Sequence, residues 1–304
     1  MGRRNIDIAR VLAAMTAIMF FGVWSCVTLF GDTSEITLPG GVKMSFVQIP
    51  SGTYQIGNLA DQHDKRIHTV TKKKTLLMGT YEVTQEQYKS IAGVNPSYFI
   101  ASQTDYSSGY SNTASQPAEQ VSWFDAVRFC NALSINQGFA PCYSSQSNTS
   151  PITDDDILIC NWNANGYRLP TDGEWEAACR ASGTAVFYWG DDTSEATIKQ
   201  NAWYEMNCMP GSWTAPHAAK GGTQPVGTKL PNRFGLYDMS GNVLEWCWDM
   251  PEPVVAPGRR EGSGGVCRGG SWSNSADRCS SSLRTWYPPV LHLRNVGFRL
   301  LRTP

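Results

Sequence analysis

Residues 232–246 read Asn-Arg-Phe-Gly-Leu-Tyr-Asp-Met-Ser-Gly-Asn-Val-Leu-Glu-Trp, and Arg268-Gly-Gly-Ser-Trp272 and Gly297-Phe-Arg299 follow further along. Glycine allows the backbone to approach where a side chain would clash. Tryptophan supplies the bulk that a core with few regular elements requires. Beyond Ala181 the chain carries no further helix signal and is dominated by Gly, Pro, Asn and Trp. The second half of the protein is therefore predicted to consist mostly of loops and short strands.

The first half of the chain has clearer signals for regular structure. Residues 44–57 predict a strand, a Pro-Ser-Gly turn and a second strand. Three capping patterns predict three helices, because a Ser or Thr at the N-cap and an acid or amide three residues later satisfy the first N–H groups of a helix. The patterns are Thr84–Gln87 before residues 87–91, Ser122 and Asp125 at the start of Trp123–Leu133, and Thr171–Glu174 at the start of Glu174–Arg180.

Six sequence motifs, in this order along the chain, resemble those of the formylglycine-generating enzyme (sulfatase-modifying factor) family. They are the three quoted first together with residues 81–88, 117–126 and 167–176. The resemblance implies an α+β fold of the C-type-lectin-like kind, with small antiparallel sheets, two to three helices and much irregular loop. It covers residues 41–304, which we expect to form one domain.

The amino-terminal residues differ in kind from the rest. Arg3, Arg4 and Arg10 precede an uncharged apolar run, which is typical of an export signal over residues 1–25. Val23-Trp-Ser-Cys26 is similar to a bacterial lipoprotein processing site, so Cys26 is the predicted lipidation site and residues 26–40 a tether. An uncleaved membrane anchor and plain secretion are the alternatives. All three place the domain outside the cytoplasm, and the first two attach it to a membrane.

Composition excludes some partners. Hydrophobic residues make up 41% of the 304 residues and the net charge is -1, which is typical of a globular protein and not of a nucleic-acid-binding one. We expect a monomer.

Without Cys26, eight cysteines remain (Cys130, Cys142, Cys160, Cys179, Cys208, Cys247, Cys267 and Cys279). In an exported protein we expect some to pair, and the alternative is that several are small buried apolar residues.

The family's enzymes oxidise a substrate cysteine with two copper-binding cysteines that lie five residues apart after the Gly-Gly-Ser-aromatic phrase. By this resemblance the second is Cys279, but the first position holds Asn274. An asparagine offers no thiolate, and Cu(I) selects soft sulfur ligands. We therefore expect no enzyme activity and no copper.

The resemblance also implies a structural calcium ion in the loop before Glu245-Trp246. Its ligands would be the side chains of Asp238 and Glu245 and the carbonyl groups of Gly241 and Val243, which are the hard oxygen donors that calcium takes. The alternative is a metal-free tight turn in which Glu245 accepts hydrogen bonds from backbone amides.

Residues 267–299 are unusual for this family. Several positions that are polar in related bacterial domains hold aromatic or aliphatic residues in this chain. The residues that match those domains are Cys279, Arg284, Pro289, Asn295 and Gly297-Phe-Arg299. This pattern resembles the variable proteins of diversity-generating retroelements, including treponemal variable lipoproteins, whose C-terminal segment is rewritten at adenine-containing codons. Ordinary drift in an inactive paralogue is the alternative.

The predicted ligand-binding residues are those of the rewritten positions. They are Ser273, Asn274, Ser275, Asp277, Arg278, Leu283, Thr285, Trp286, Tyr287, Val290, Leu291, His292, Leu293 and Arg294. We expect this stretch to run irregularly across the surface, with its aromatic and aliphatic side chains exposed. The resulting hypothesis is a surface-displayed lipoprotein that binds a protein or other surface ligand. The alternative is an oxidoreductase or sulfatase-modifying accessory of the formylglycine-generating kind.

Overall fold

The computed structural model describes residues 32–58, 67–100, 113–147, 150–208, 221–250 and 265–304. The helices within these ranges are α1 (Gln85–Ala92), α2 (Trp123–Asn136), α3 (Asp172–Arg180) and α4 (Glu195–Asn201). The strands are β1 (Thr33–Thr37), β2 (Lys43–Ile49), β3 (Gly52–Ile56), β4 (His68–Lys72), β5 (Leu76–Gly79), β6 (Tyr143–Ser145), β7 (Leu158–Cys160), β8 (Tyr167–Arg168), β9 (Leu244–Trp246), β10 (Gly265–Arg268), β11 (Arg284–Tyr287), β12 (Val296–Gly297) and β13 (Leu301–Arg302).

The described strands form two principal sheets. One has the order β1-β2-β5-β13-β8 and the other the order β11-β10-β9-β12, while β3-β4 and β6-β7 are separate ribbons. All pairings are antiparallel except that of β12 with β9, which is parallel. The two C-terminal strands β12 and β13 lie in different sheets, so the last residues join the two halves of the core. The predicted α+β class with small antiparallel sheets is confirmed.

The three predicted helices are present, and each begins at its predicted cap. Thr84, Ser122 and Thr171 all form complete capping boxes with the residue three positions later. A fourth helix, α4, was not predicted. It is only seven residues long, and its cap is the Ser194 side chain, which accepts from the N–H of Thr197. So short a helix leaves no apolar period for sequence analysis to find.

The predicted tether is too long at its C-terminal end. Thr33–Thr37 forms β1, which pairs along its whole length with Lys43–Val47. The side chains of β1 are mostly exposed, so the polar composition that suggested a linker is that of an edge strand. The predicted lipidation site Cys26 and the export signal lie outside the described residues. In the part of the chain that the structure describes, no helix has the length and apolar character to cross a bilayer.

The core is organised around buried tryptophans. The Trp246 indole N–H donates to the Val121 carbonyl oxygen (2.8 Å), and that of Trp123 donates to the Cys247 carbonyl oxygen (2.8 Å). These bonds join α2 to β9, and Trp175 of α3 packs in the neighbouring apolar cluster.

The expected disulfide pairing is absent among the described residues, since all eight cysteines after Cys26 are buried free thiols. They serve as small apolar core residues, which was the alternative interpretation.

Candidate ligand-binding surface

Two glycine contacts fix the ends of the predicted variable segment. Gly270 has a φ of 72°, and a Cβ atom there would lie 2.4 Å from the Arg278 carbonyl oxygen. A Cβ on Gly297 would lie 2.5 Å from the Ala118 carbonyl oxygen. Both distances are below any real contact, so only glycine allows these backbones to pass so closely. The segment between them starts and ends at fixed points of the core.

The segment is more regular than predicted. Residues 284–287 form β11, which pairs with β10 in the register Arg268↔Arg284 to Gly265↔Tyr287. Exposed and half-buried residues alternate along the strand, as expected for a sheet with one solvated face. The prediction of an irregular course is therefore wrong for these four residues. Four alternating positions are too few to distinguish a strand from a loop in the sequence, and the pairing partner lies about twenty residues earlier.

The residues after β11 follow an irregular path that backbone hydrogen bonds hold against the rest of the domain. The Pro289 carbonyl oxygen accepts from the Trp123 N–H (2.9 Å), and the Leu293 carbonyl oxygen accepts from the Gln120 N–H (2.9 Å). The indole N–H of Trp272 donates to the Arg294 carbonyl oxygen (3.1 Å). These bonds involve main-chain atoms of the segment, so they are compatible with changes in its side chains.

The apolar side chains of this segment fall into two groups. Trp286 is 59% exposed, Val290 45% and Leu291 38%. Tyr287 and Leu293 are instead half-buried and pack against the core. Leu283 is a correction to the predicted binding set: it is only 4% exposed and belongs to the main apolar cluster, so it cannot touch a ligand.

The earlier part of the predicted set, residues 273–278, contacts the end of the segment at Asn295. Ser273, Asp277 and Arg278 are exposed, whereas Asn274 and Ser275 are half-buried. One hydrogen bond connects the two stretches. The side-chain amide of Asn295 donates to the Ser273 hydroxyl (3.3 Å). Burial raises the pKa of Tyr287, and the nearby Arg278 guanidinium opposes that rise.

Charged groups border the patch on the α2 side. His292 Nε2 lies 3.0 Å from a carboxylate oxygen of Asp125, near the start of α2. Burial alone would raise the pKa of Asp125, but hydrogen bonds from Arg128 and Ser122 outweigh it and hold the pKa below its usual value. On the other side, the Arg294 guanidinium lies 3.4 Å from the centre of the Tyr98 ring. Thr285, between the exposed residues Arg284 and Trp286, is half-buried.

Sequence analysis did not identify the residue that holds β11 in place. Asp172, at the start of α3, accepts from Nε of Arg284 (2.8 Å) with one carboxylate oxygen and from Nε of Arg268 with the other. Arg268 is 2% exposed and also pairs with Glu176 (3.1 Å). In the sequence Asp172 is only the second residue of a capping box, and nothing there indicates contact with residues about a hundred positions away.

Asn274 and Cys279, the positions that the resemblance implies for the family's two cysteines, make structural contacts in this chain. The Asn274 side-chain oxygen accepts from the Ser271 hydroxyl (2.7 Å), and its carbonyl oxygen accepts from the Glu205 N–H (3.0 Å). Cys279 is fully buried, and burial raises the pKa of its thiol to about 12. A thiol with so high a pKa is neither a good nucleophile nor a ready metal ligand.

The loop implied to hold calcium is occupied by an ion pair. Both carboxylate oxygens of Glu245 accept from Arg299 (2.6 Å each), and one also accepts from the Trp175 indole N–H (2.6 Å). All three side chains are buried. The Arg299 guanidinium further donates to the carbonyl oxygens of Gly79 (3.1 Å) and Tyr237 (2.9 Å).

The residues of this loop do not fit a calcium site that uses Glu245, because the ion would have to displace a buried guanidinium. One oxygen of Asp238 accepts from the Gly227 N–H (2.7 Å), while the other has no hydrogen-bond partner in the described structure. Burial raises the pKa of Asp238 to about 6. Gly241 and Val243 are buried, and no three His, Cys, Asp or Glu side chains within the described ranges could hold a metal together. Calcium binding stays a prediction, without Glu245 as a ligand.

The fold and its buried motifs define a C-type-lectin-like domain in which these motifs contribute to the core. A family model, the sulfatase-modifying factor enzyme 1-like domain, matches residues 39–304. The chain therefore belongs to the sulfatase-modifying factor family, as predicted.

The chain is similar to two relatives and to one solved structure of known name. The chain is 34% identical over 237 residues to the chaperone protein LppX of Paenibacillus barcinonensis, covering 72% of this chain and 76% of the relative. It is 31% identical over 166 residues to the formylglycine-generating enzyme of Thermomonospora curvata, covering 49% of this chain and 53% of that enzyme. Among solved structures it is similar to Treponema denticola variable protein 1, with a TM-score of 0.73, 32% identity, and coverage of 90% and 99% of the two chains.

Proposed function

We propose that this protein is an exported, surface-displayed lipoprotein that binds a protein ligand through the C-terminal surface formed by β11 and residues 288–294. The observation that carries the proposal is the contrast within that segment. Its main chain is fixed to the core, while Trp286, Val290 and Leu291 remain exposed together with His292. Exposed apolar groups gathered on one surface are typical of interaction sites.

Two of the three relatives support binding over catalysis. One is named as a variable protein and another as a chaperone, and neither name describes a chemical reaction. The replacement of the first family cysteine by Asn274 and the burial of Cys279 point the same way. Diversification of residues 267–299 by a retroelement belongs to this proposal, as does lipidation at Cys26.

The binding surface is tested by crosslinking. A photoreactive phenylalanine analogue in place of Trp286 should give a discrete protein adduct on the surface of cells that make the protein. The same analogue at Val94, which is 62% exposed on the C-terminal side of α1, is the matched control and should give none. Equal adducts at both positions, or none at Trp286, would exclude the proposed surface.

A combined variant separates binding from folding. Trp286→Ala with Leu291→Ala and His292→Ala should weaken the crosslinked interaction at least about tenfold, because exposed aromatic anchors dominate interface energies. Its melting temperature should stay within about 2 °C of the wild type, since exposed substitutions change stability little. Leu283→Ala, in the same segment but buried, should instead lower the free energy of unfolding by about 2–5 kcal/mol.

A further inference from the structure

The sheet that carries the candidate ligand-binding surface ends at β11. In the described part of the chain this strand has a neighbour, β10, on one side only. Residues of an antiparallel pair alternate between those whose main-chain groups bond across the pair and those whose groups point away. A terminal strand therefore presents half of its N–H and C=O groups outward, where another strand can pair with them.

The hydrogen bonds of β10 identify which residues of β11 face outward. The Val266 N–H donates to the Asp249 carbonyl oxygen (2.9 Å), and the Val266 carbonyl oxygen accepts from the Cys247 N–H (2.8 Å). Both main-chain groups of Val266 thus point to the β9 side of β10. Trp286 is the partner of Val266 on the opposite side. In an antiparallel pair, the main-chain groups of two directly opposite residues either both point toward the other strand or both point away from it. The groups of Val266 point away from β11, so the N–H and C=O of Trp286 point away from β10.

Arg284, two residues before Trp286, has the same orientation, since the alternation has a period of two. Among the described residues, none forms a hydrogen bond with the main-chain groups of Arg284 and Trp286 on this outer edge. The side chains of the same two residues are exposed as well. An edge of this kind offers donors and acceptors at strand spacing beside one aromatic and one guanidinium group.

We propose that an extended segment of a partner protein adds to β11 as a further strand and hydrogen-bonds to the main chain of Arg284 and Trp286. The inference rests on the proposed function and specifies how that surface takes its ligand. In strand addition, main-chain bonds provide affinity and alternate side chains provide specificity. An apolar residue beside Trp286 would match its exposed indole. The Arg284 guanidinium already pairs with Asp172, so Arg284 contributes its main-chain groups to the added strand.

This mode fits a surface whose side chains differ between copies of the protein. The N–H and C=O groups of β11 remain the same when its side chains are replaced. Strand addition therefore gives every version of the surface a constant attachment for an extended segment, while positions such as Thr285, Trp286 and Tyr287 alter the preference for its sequence.

The probe is a set of linear dodecapeptides selected from a random display library against the purified full-length protein in detergent. Their affinities are compared for the wild type, Trp286→Ala and Trp286→Pro. Proline removes the outward N–H without breaking a bond to β10, whereas alanine removes the same side chain and keeps that N–H. We expect the proline variant to bind the selected peptides about tenfold more weakly than the alanine variant does.

A second measurement does not depend on folding of the proline variant. Selected peptides are N-methylated one residue at a time and tested on the wild-type protein. A peptide bound as a strand should lose affinity at every second position only, and the amide hydrogens of Arg284 and Trp286 should exchange more slowly in its presence.

Three results would overturn the strand-addition proposal: equal affinity of the alanine and proline variants with no alternation in the N-methyl series, a library that yields no binding peptide, or a wild-type dimer that Trp286→Pro converts to a monomer. In the last case the edge is occupied by a second copy of the chain. None of these results would remove the crosslinked adduct at position 286, so failure of the pairing mode and failure of the proposed binding function are distinguishable.

Discussion

Arg299 and Glu245 give a physical reason for two of the phrases that identify the fold. The arginine of Gly297-Phe-Arg299 and the glutamate before Trp246 form a fully buried pair. Removing one partner of such a pair leaves an uncompensated charge in the core. Glu245→Gln should therefore lower the free energy of unfolding by about 3–5 kcal/mol, measured by urea denaturation.

The control for this variant is an exposed ion pair. Glu35 lies 3.1 Å from Lys43 with about half of each side chain exposed, so Glu35→Gln should cost less than about 1 kcal/mol. The Glu245→Gln loss should be the same with and without calcium. A melting temperature that rises with calcium in the wild type and not in Asp238→Ala would confirm the predicted calcium site around Asp238.

Asp238 is expected to make the protein less stable as the pH rises. Its folded-state pKa of about 6 lies above the usual value of 3.8, so folding favours the protonated carboxyl group. This stabilising contribution is complete below pH 3.8 and is lost as the pH passes through 6. The loss between pH 5 and pH 7 should lower the free energy of unfolding by about 1 kcal/mol.

Asp238→Asn tests this pH dependence, because asparagine has the same shape and can still accept from the Gly227 N–H. The wild type should lose about 1 kcal/mol more than the variant between pH 5 and pH 7 in urea denaturation. Glu82 is buried nearby, and burial raises its pKa too, but it is present in both proteins. Parallel pH profiles for the two proteins would contradict the raised pKa of Asp238.

At the scale of elements, α3 determines where β11 lies. Its first residue, Asp172, binds Arg268 of β10 and Arg284 of β11 at once. Asp172→Asn should lower the free energy of unfolding by about 2 kcal/mol, because the buried Arg268 loses a charged partner while its ion pair with Glu176 remains. The amides of β11 should also exchange faster with solvent in this variant.

The matched control removes a carboxylate that holds no strand. Asp154 pairs with Arg128 at 2.7 Å, and 43% of its side chain is exposed. Asp154→Asn should change stability by less than about 1 kcal/mol and leave exchange in β11 unaltered. If Asp172→Asn behaves like this control, the position of β11 does not depend on α3.

These elements also show how far sequence patterns reach. The capping boxes of α1, α2 and α3 were predicted because each consists of residues three positions apart that bond to one another. The strand β11 was missed, since its four residues acquire their alternation from pairing with β10. Leu283 was assigned to the binding surface because it stands at one of the rewritten positions, although the fold turns its side chain into the core.

At the scale of the molecule, the early start of β1 limits the predicted tether. If the mature protein begins at a lipidated Cys26, only residues 27–32 separate the lipid from the domain. Six residues span at most roughly 20 Å, so the domain would stay close to the membrane surface. Several acyl chains would make the attachment durable.

Mass spectrometry of the native protein tests the anchor. We expect an N-terminal fragment that starts at Cys26 and carries lipid, and Cys26→Ser should release the domain from the membrane fraction or prevent processing. An intact Met1, or a detergent-free form with another start, would show that the chain is anchored or secreted in a different way.

The sequence by itself determined the family, the α+β class and the three capped helices. Each depends on residue identity or on contacts between near neighbours in the chain. Only the tertiary structure decided that Glu245 pairs with Arg299, that Asp172 holds Arg284, and that Trp286 is exposed on an edge strand whereas Leu283 is buried. Those properties arise from residues that lie from tens of positions to just over a hundred positions apart, and their distances are set by the packing of the whole domain.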